Sequence, residues 1–264
     1  MSTTTMNAPA GPTNAPGPHR ISDASRIWRL ARLHLADRST MLWVPPIILT
    51  AAVLVMVVIF LMVAYFTSVE PAYLTDGFRQ GNQAPVWIFP GYSISMGVLA
   101  YSRTMPYAIG MMGSTRRQFW LGTMVWIGLQ TAYMTALATI FLLVENLTGG
   151  WFVGVPAFGS DVVGGGQVGT FIMMMLALIS LSLTVGTALA AIYLRWGTTG
   201  VWVAVIALVM LVLLAIAAVL GSGVDLQTVL STHVHAKFAA LLVGLTLVSA
   251  AVSWAVIRRV PIHR

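Results

Sequence analysis

Cysteine is absent from these 264 residues, and lysine occurs once, at Lys237. The first absence removes disulfides and thiolate metal sites. The second removes a phosphate-binding loop, since the Walker pattern needs a lysine after a glycine-rich turn and "HAKFAA" has no glycine ahead of its lysine. Charge is scarce altogether: 8% of the residues are Asp, Glu, Lys or Arg, against about 25% in soluble domains. Taken with 58% hydrophobic residues and a mean hydropathy of +0.87, this scarcity points to an all-α polytopic membrane protein.

Apolar runs of about 20 residues cross the ~30 Å hydrocarbon layer. Six are present, at 41–66, 84–101, 119–144, 168–194, 200–220 and 238–257. No interior of these runs contains Asp, Glu, Lys, Arg or His. Such residues mark proton relays and ion pathways, so the pattern argues against a proton-driven antiporter, while sodium coupling through carbonyls and hydroxyls stays open. Six spans place both termini on one side. With cytoplasmic termini, Arg20, Arg26, Arg29, Arg32, Arg38, Arg103, Arg116, Arg117, Arg195, Arg258, Arg259 and Arg264 lie inside, twelve of the 14 basic residues. Only Arg79 and Lys237 lie outside, with Glu70, Asp76, Glu145, Asp161 and Asp225. This basic bias sets the orientation and accounts for the net charge of +7 without nucleic acid. A multi-pass protein of the plasma (cytoplasmic) membrane is expected.

Residues 1–20, rich in Pro, Ala, Thr and Asn, read as a disordered cytoplasmic tail. Residues 21–264 then form the membrane domain, opened by an amphipathic elbow helix at about 22–38. On that helix Ile27, Trp28, Leu30, Ala31 and Leu35 share one side, with His34 among them, and Arg26, Arg29 and Arg32 gather opposite. Such a helix suits the membrane surface, with arginines toward anionic lipid. Pro45 and Pro46 kink or begin the first span.

Polar residues within the spans are mild. Tyr92, Ser95 and Gln130 are candidates for a substrate path, against a reading of helix packing that small and hydroxylated residues favour. Gln130 is the first of these, because a mid-span amide needs a partner or a wet cavity. Enzyme patterns fail. "GYSI", Gly91 to Ile94, offers a protease-like serine, but no span interior supplies a histidine. "HVH", His233 to His235, has no nearby third ligand, and no metal is expected. The outer segment 145–167, rich in glycine, reads as an interfacial loop rather than an outer gate.

The basic elbow between the second and third spans is "PYAIGMMGSTRRQFWLGT", Pro106 to Thr123. Thr104 is placed to cap a short helix from Met105 to Met112, Gly113 to end it, and Thr115 with Gln118 to form a capping box for the next span. Arg116 and Arg117 then fall in the first turn of a long helix. Cations there oppose the macrodipole by about 0.3–1 kcal/mol each, which anionic lipid or a partner's acidic or carbonyl-lined groove would offset. Met105, Tyr107, Met111 and Met112 offer apolar contacts beside them.

"GSTRRQFWLGT", Gly113 to Thr123, resembles the segment between the second and third spans in permease subunits of type-2 ATP-binding-cassette exporters. The elbow helix, six spans and internal termini fit the same plan. The resemblance implies a separate ATP-binding subunit carrying ATP and Mg, with no cofactor on this chain. It also implies a second permease copy or a sister permease, and a coupling region comprising Met105, Tyr107, Met111, Met112, Gly113, Arg116, Arg117 and Phe119. The loop "RWGTTG", Arg195 to Gly200, would be a second cytoplasmic contact. Alternatives are a self-contained secondary transporter or channel, and a non-transporting membrane scaffold or immunity-type protein; an intramembrane enzyme ranks last.

Overall fold

The computed structural model describes residues 23–37, 39–67, 71–80, 84–221 and 234–260. The expected tail, together with Arg38, Glu70, Asp225 and His233, lies outside the described residues. Helix α1 spans Asp23–His34, and a π-helical turn, Ser39–Trp43, leads into α2, Val44–Thr67. Then come α3 (Pro71–Gln80), α4 (Ala84–Gly110), α5 (Arg116–Thr148), α6 (Val168–Gly221) and α7 (Val234–Ile257). No strand occurs among the described residues. Four helical stretches are long and apolar enough to cross a membrane: Ser39–Thr67, Arg116–Thr148, Val168–Met210 and Val234–Ile257.

The six expected runs fall on these helices, but two of them are not separate candidates. The run 84–101 lies in α4, a continuous helix whose apolar character is diluted by Pro90, Pro106 and several hydroxyl side chains. The runs 168–194 and 200–220 both lie in α6, which breaks at Gly197 (φ 67°, ψ −162°). There the chain bends sharply. A Cβ on Gly200 would stand 3.5 Å from Ile192 Cγ2, whereas eight residues of straight helix would separate them by about 12 Å. Glycine is what permits the positive φ.

Helix α6 is the hub, packing on α4, α5 and α7. Its crossing with α4 is set by two glycines. A Cβ on Gly97 would stand 2.6 Å from the Leu183 carbonyl oxygen and 3.1 Å from Gly186 Cα, and one on Gly186 would run into the Ile94 carbonyl. Small residues let backbones approach in this way in membrane bundles, where van der Waals packing holds helices together. The elbow helix α1 rests on α5 by the same means, with a Cβ on Gly122 falling 2.8 Å from Leu30 Cβ. Leu30, Ala31 and His34 are therefore buried, while Trp28 stays exposed with Arg32 5.8 Å from its ring. The apolar side of α1 is thus split between protein and surroundings.

The short helix expected after Tyr101 is not separate: α4 continues through it to Gly110. Thr104 caps nothing, because its hydroxyl donates to the Ala100 carbonyl one turn back within the same helix, at 2.6 Å. Pro106 sits on an exposed face, where its missing N–H leaves only one helical bond unmade. Gly113 does close the helix, at φ 60°, and Ser114 N–H reaches back to Ala108 O at 3.2 Å. Thr115 and Gln118 form the expected capping box at the start of α5.

Candidate functional site

Arginine collects at one end of the bundle. Helix α5 starts there at Arg116, and α7 ends there just before Arg258 and Arg259, with the Arg258 and Val260 carbonyls accepting from the Arg116 guanidinium. Arg26 and Arg29 of α1 line a cavity with Met112, Gly113 and Ser114. Arg195, at the bend of α6, shares a second cavity with Arg258 and Arg259. The opposite end holds Arg79, paired with Asp161 at 3.7 Å, and His235, whose Nε2 lies 3.0 Å from Asp161 O.

The coupling residues divide into two groups. Tyr107, Met111, Met112, Gly113 and Arg117 are exposed on the connection between α4 and α5. Met105 and Phe119 are not: both are buried with Leu30, Tyr101 and Ile257 in a small core beneath that connection. A surface role for these two is withdrawn, because the continued α4 turns Met105 inward and the capped start of α5 turns Phe119 onto Tyr101. Arg116 belongs with them in function. Its guanidinium donates to the carbonyls of Arg258 and Val260, the latter at 2.7 Å. These groups lie at the carbonyl-rich, negative end of α7. The cation that burdens the start of α5 therefore closes the end of α7. Gln118 adds a second tie, capping Thr115 N–H through Oε1 while its Nε2 donates to Asp23 at the start of α1, at 2.8 Å.

The three substrate-path candidates do not converge on a cavity. Pro45 and Pro46 lack N–H groups, so carbonyls one turn upstream lose their helical donors. The turn widens to π geometry, and side chains supply the missing bonds. Tyr92 Oη donates to Thr40 O at 2.6 Å, Gln130 Nε2 to Met41 O at 3.1 Å, and Tyr133 Oη to Leu42 O at 2.6 Å. Tyr92 and Gln130 are thus structural, and the amide of Gln130 has found its partner in backbone. Ser95 is exposed and donates to Gly91 O in its own helix. Tyr133 escaped the sequence reading.

Two buried polar groups were also missed. His34 Nδ1 donates to Leu30 O at 2.9 Å, and its Nε2 lies 3.3 Å from both Thr104 Oγ1 and Thr123 Oγ1, hydroxyls that themselves donate to the Ala100 and Phe119 carbonyls. Its ring lies against Phe119 and Trp126. Burial lowers its pKa from 6.5 to about 4. Glu145, counted in sequence among the acids of the outer side, is buried at the far end of α5. Its carboxylate accepts from Trp151 Nε1 (3.1 Å) and from the N–H groups of Ala157 (2.9 Å), Phe158 (2.7 Å) and Gly159 (2.8 Å). The expected loop is therefore a folded cap, with Val155, Ala157 and Phe158 buried and Trp151 and Phe152 held at positive φ.

No His, Cys, Asp or Glu cluster suited to a metal occurs among the described residues. No protein-family model, curated protein or solved structure matches the chain.

Proposed function

We propose that this chain is the permease subunit of an ATP-binding-cassette exporter, paired with a second copy or a sister permease and driven by a separate subunit that binds ATP and Mg. In this reading six spans cross the plasma membrane: α2, α4, α5, the two arms of α6, and α7. The Gly197 bend supports counting α6 twice, since its 54 residues would extend about 80 Å as one rod, far beyond the bilayer. The arginine-rich end faces the cytoplasm by the positive-inside rule.

The observation that carries the reading is the exposed joint between α4 and α5. Tyr107, Met111, Met112 and Arg117 project from a connection whose base is fixed by the capping box and by Arg116 on the end of α7. Methionine repacks readily, and a helix end seated in a partner's groove is a known mode of recognition. A push on this joint passes to α5 and α7 together.

The test is co-purification with a candidate ATP-binding subunit. Arg117→Glu combined with Met111→Glu is expected to abolish association and the permease-dependent change in ATP turnover, with Tm unchanged. Retained association and turnover in that variant would remove the docking role. Cargo movement by the purified chain alone, driven by an ion gradient, would replace the exporter reading with a self-contained transporter.

A further inference from the structure

We propose that the bend of α6 is a binding site for an anionic phospholipid, its phosphate held by Arg195, Arg258 and Arg259 and an acyl chain lying between the arms of α6. Two adjoining spaces carry this. The first, about 600 Å³, is bounded by those three arginines with Trp196, Ala255 and Val256. None of the three is ion-paired to a carboxylate among the described residues. Three neighbouring arginines with no carboxylate partner among the described residues favour an anion of multiple oxygens, which arginine binds in a forked geometry.

The cluster is held in place. Arg195 lies 4.2 Å from the Trp196 ring, and Arg258 5.6 Å from the Trp254 ring. The backbone carrying Arg258 is anchored by Arg116. The second space, about 440 Å³, is lined by Ile192, Trp196, Gly200, Val203, Ala204 and Ala207, nearly all of it apolar. Spacing of three, four and seven residues puts the last four on one stripe of the second arm. Small side chains there leave the width of a hydrocarbon chain. Trp196 borders both spaces, so one amphipathic molecule with a charged head and an apolar tail matches them together. Free phosphate would satisfy the first and leave the second open. Basic pockets between helices at a membrane surface recognise anionic headgroups in this manner.

The proposal is independent of any ATP-binding subunit, and its test uses the full chain alone. Delipidated protein in detergent is offered dioleoylphosphatidylglycerol or dioleoylphosphatidylcholine, and retained lipid is read by native mass spectrometry. The anionic lipid is expected to be preferred, and the preference to fall about fivefold for each of Arg195→Gln, Arg258→Gln and Arg259→Gln. Ala207→Trp, which fills the apolar space and leaves the arginines alone, is expected to reduce retention of the lipid. Arg103→Gln, at the same end but outside the site, is expected to leave retention unchanged. An unaltered preference in the triple arginine variant, or an equal loss in Arg103→Gln, would overturn the site. Competition by glycerol 3-phosphate at the lipid's own affinity would overturn the acyl-chain half.

Discussion

His34 is the residue most sensitive to its surroundings, an imidazole sealed between α1, α4 and α5 with one nitrogen donating to backbone and the other against two threonine hydroxyls. Its folded pKa of about 4 lies below the ordinary 6.5, so the unfolded chain binds the proton more tightly. Its contribution is complete above pH 6.5 and is lost as pH falls toward 4. Linkage puts the loss at about 2 kcal/mol between pH 7 and 5, and about 3 kcal/mol by pH 4. Thermal unfolding in detergent from pH 7.5 to 4 measures this slope, and His34→Gln is expected to flatten it. Glu145 is the second such residue. Replacing it by Ala strands three buried N–H groups and the Trp151 ring nitrogen, each worth about 1–3 kcal/mol when unpaired. The expected result is loss of protease resistance across 150–167 before the bundle itself unfolds, read by limited proteolysis from that side.

At the scale of elements, local rules and neighbours part company. The capping box at Thr115 and Gln118 was legible because all its bonds lie within four residues. The end of α4 was not, because the signals at Thr104 and Pro106 compete with a helix that its neighbours already hold: Tyr101, Met105 and Ala108 are buried against other elements. Pro45 and Pro46 announced a disturbed start to α2, yet the donors that repair it come from α4 and α5, some 50 and 90 residues away. Gln130→Leu removes one of them and leaves the Met41 carbonyl buried without a donor. Destabilisation of about 1–3 kcal/mol is expected, measured as a lowered denaturant midpoint, with Gln130→Glu no rescue because it has no donor when ionised.

The whole molecule turns on α6 and its closeness to α4. Gly97 and Gly186 meet backbone to backbone, so relief by side-chain motion is not available there. Gly186→Val is expected to force the helices apart, costing at or above the usual 1–3 kcal/mol of overpacking. A lowered Tm with a broadened gel-filtration peak would register it; Gly244→Val, where a Cβ meets nothing within 4 Å, is the control. At this scale too the basic residues become one surface: Arg26, Arg29, Arg116, Arg195, Arg258 and Arg259 are gathered at one end, with Arg79 at the other.

Composition, run length and charge alone determined that this is a helical chain with segments long and apolar enough to cross a membrane, because the bilayer imposes its demands residue by residue and along each segment. The tertiary structure decided the rest: that Arg116 closes α7, that Gln130 and Tyr92 repair a proline turn, that Glu145 organises the cap at the far end of α5, and that Arg195 shares a cavity with Arg258 and Arg259. A buried polar group is assigned by its partner, and partners distant in sequence are brought together only by the fold.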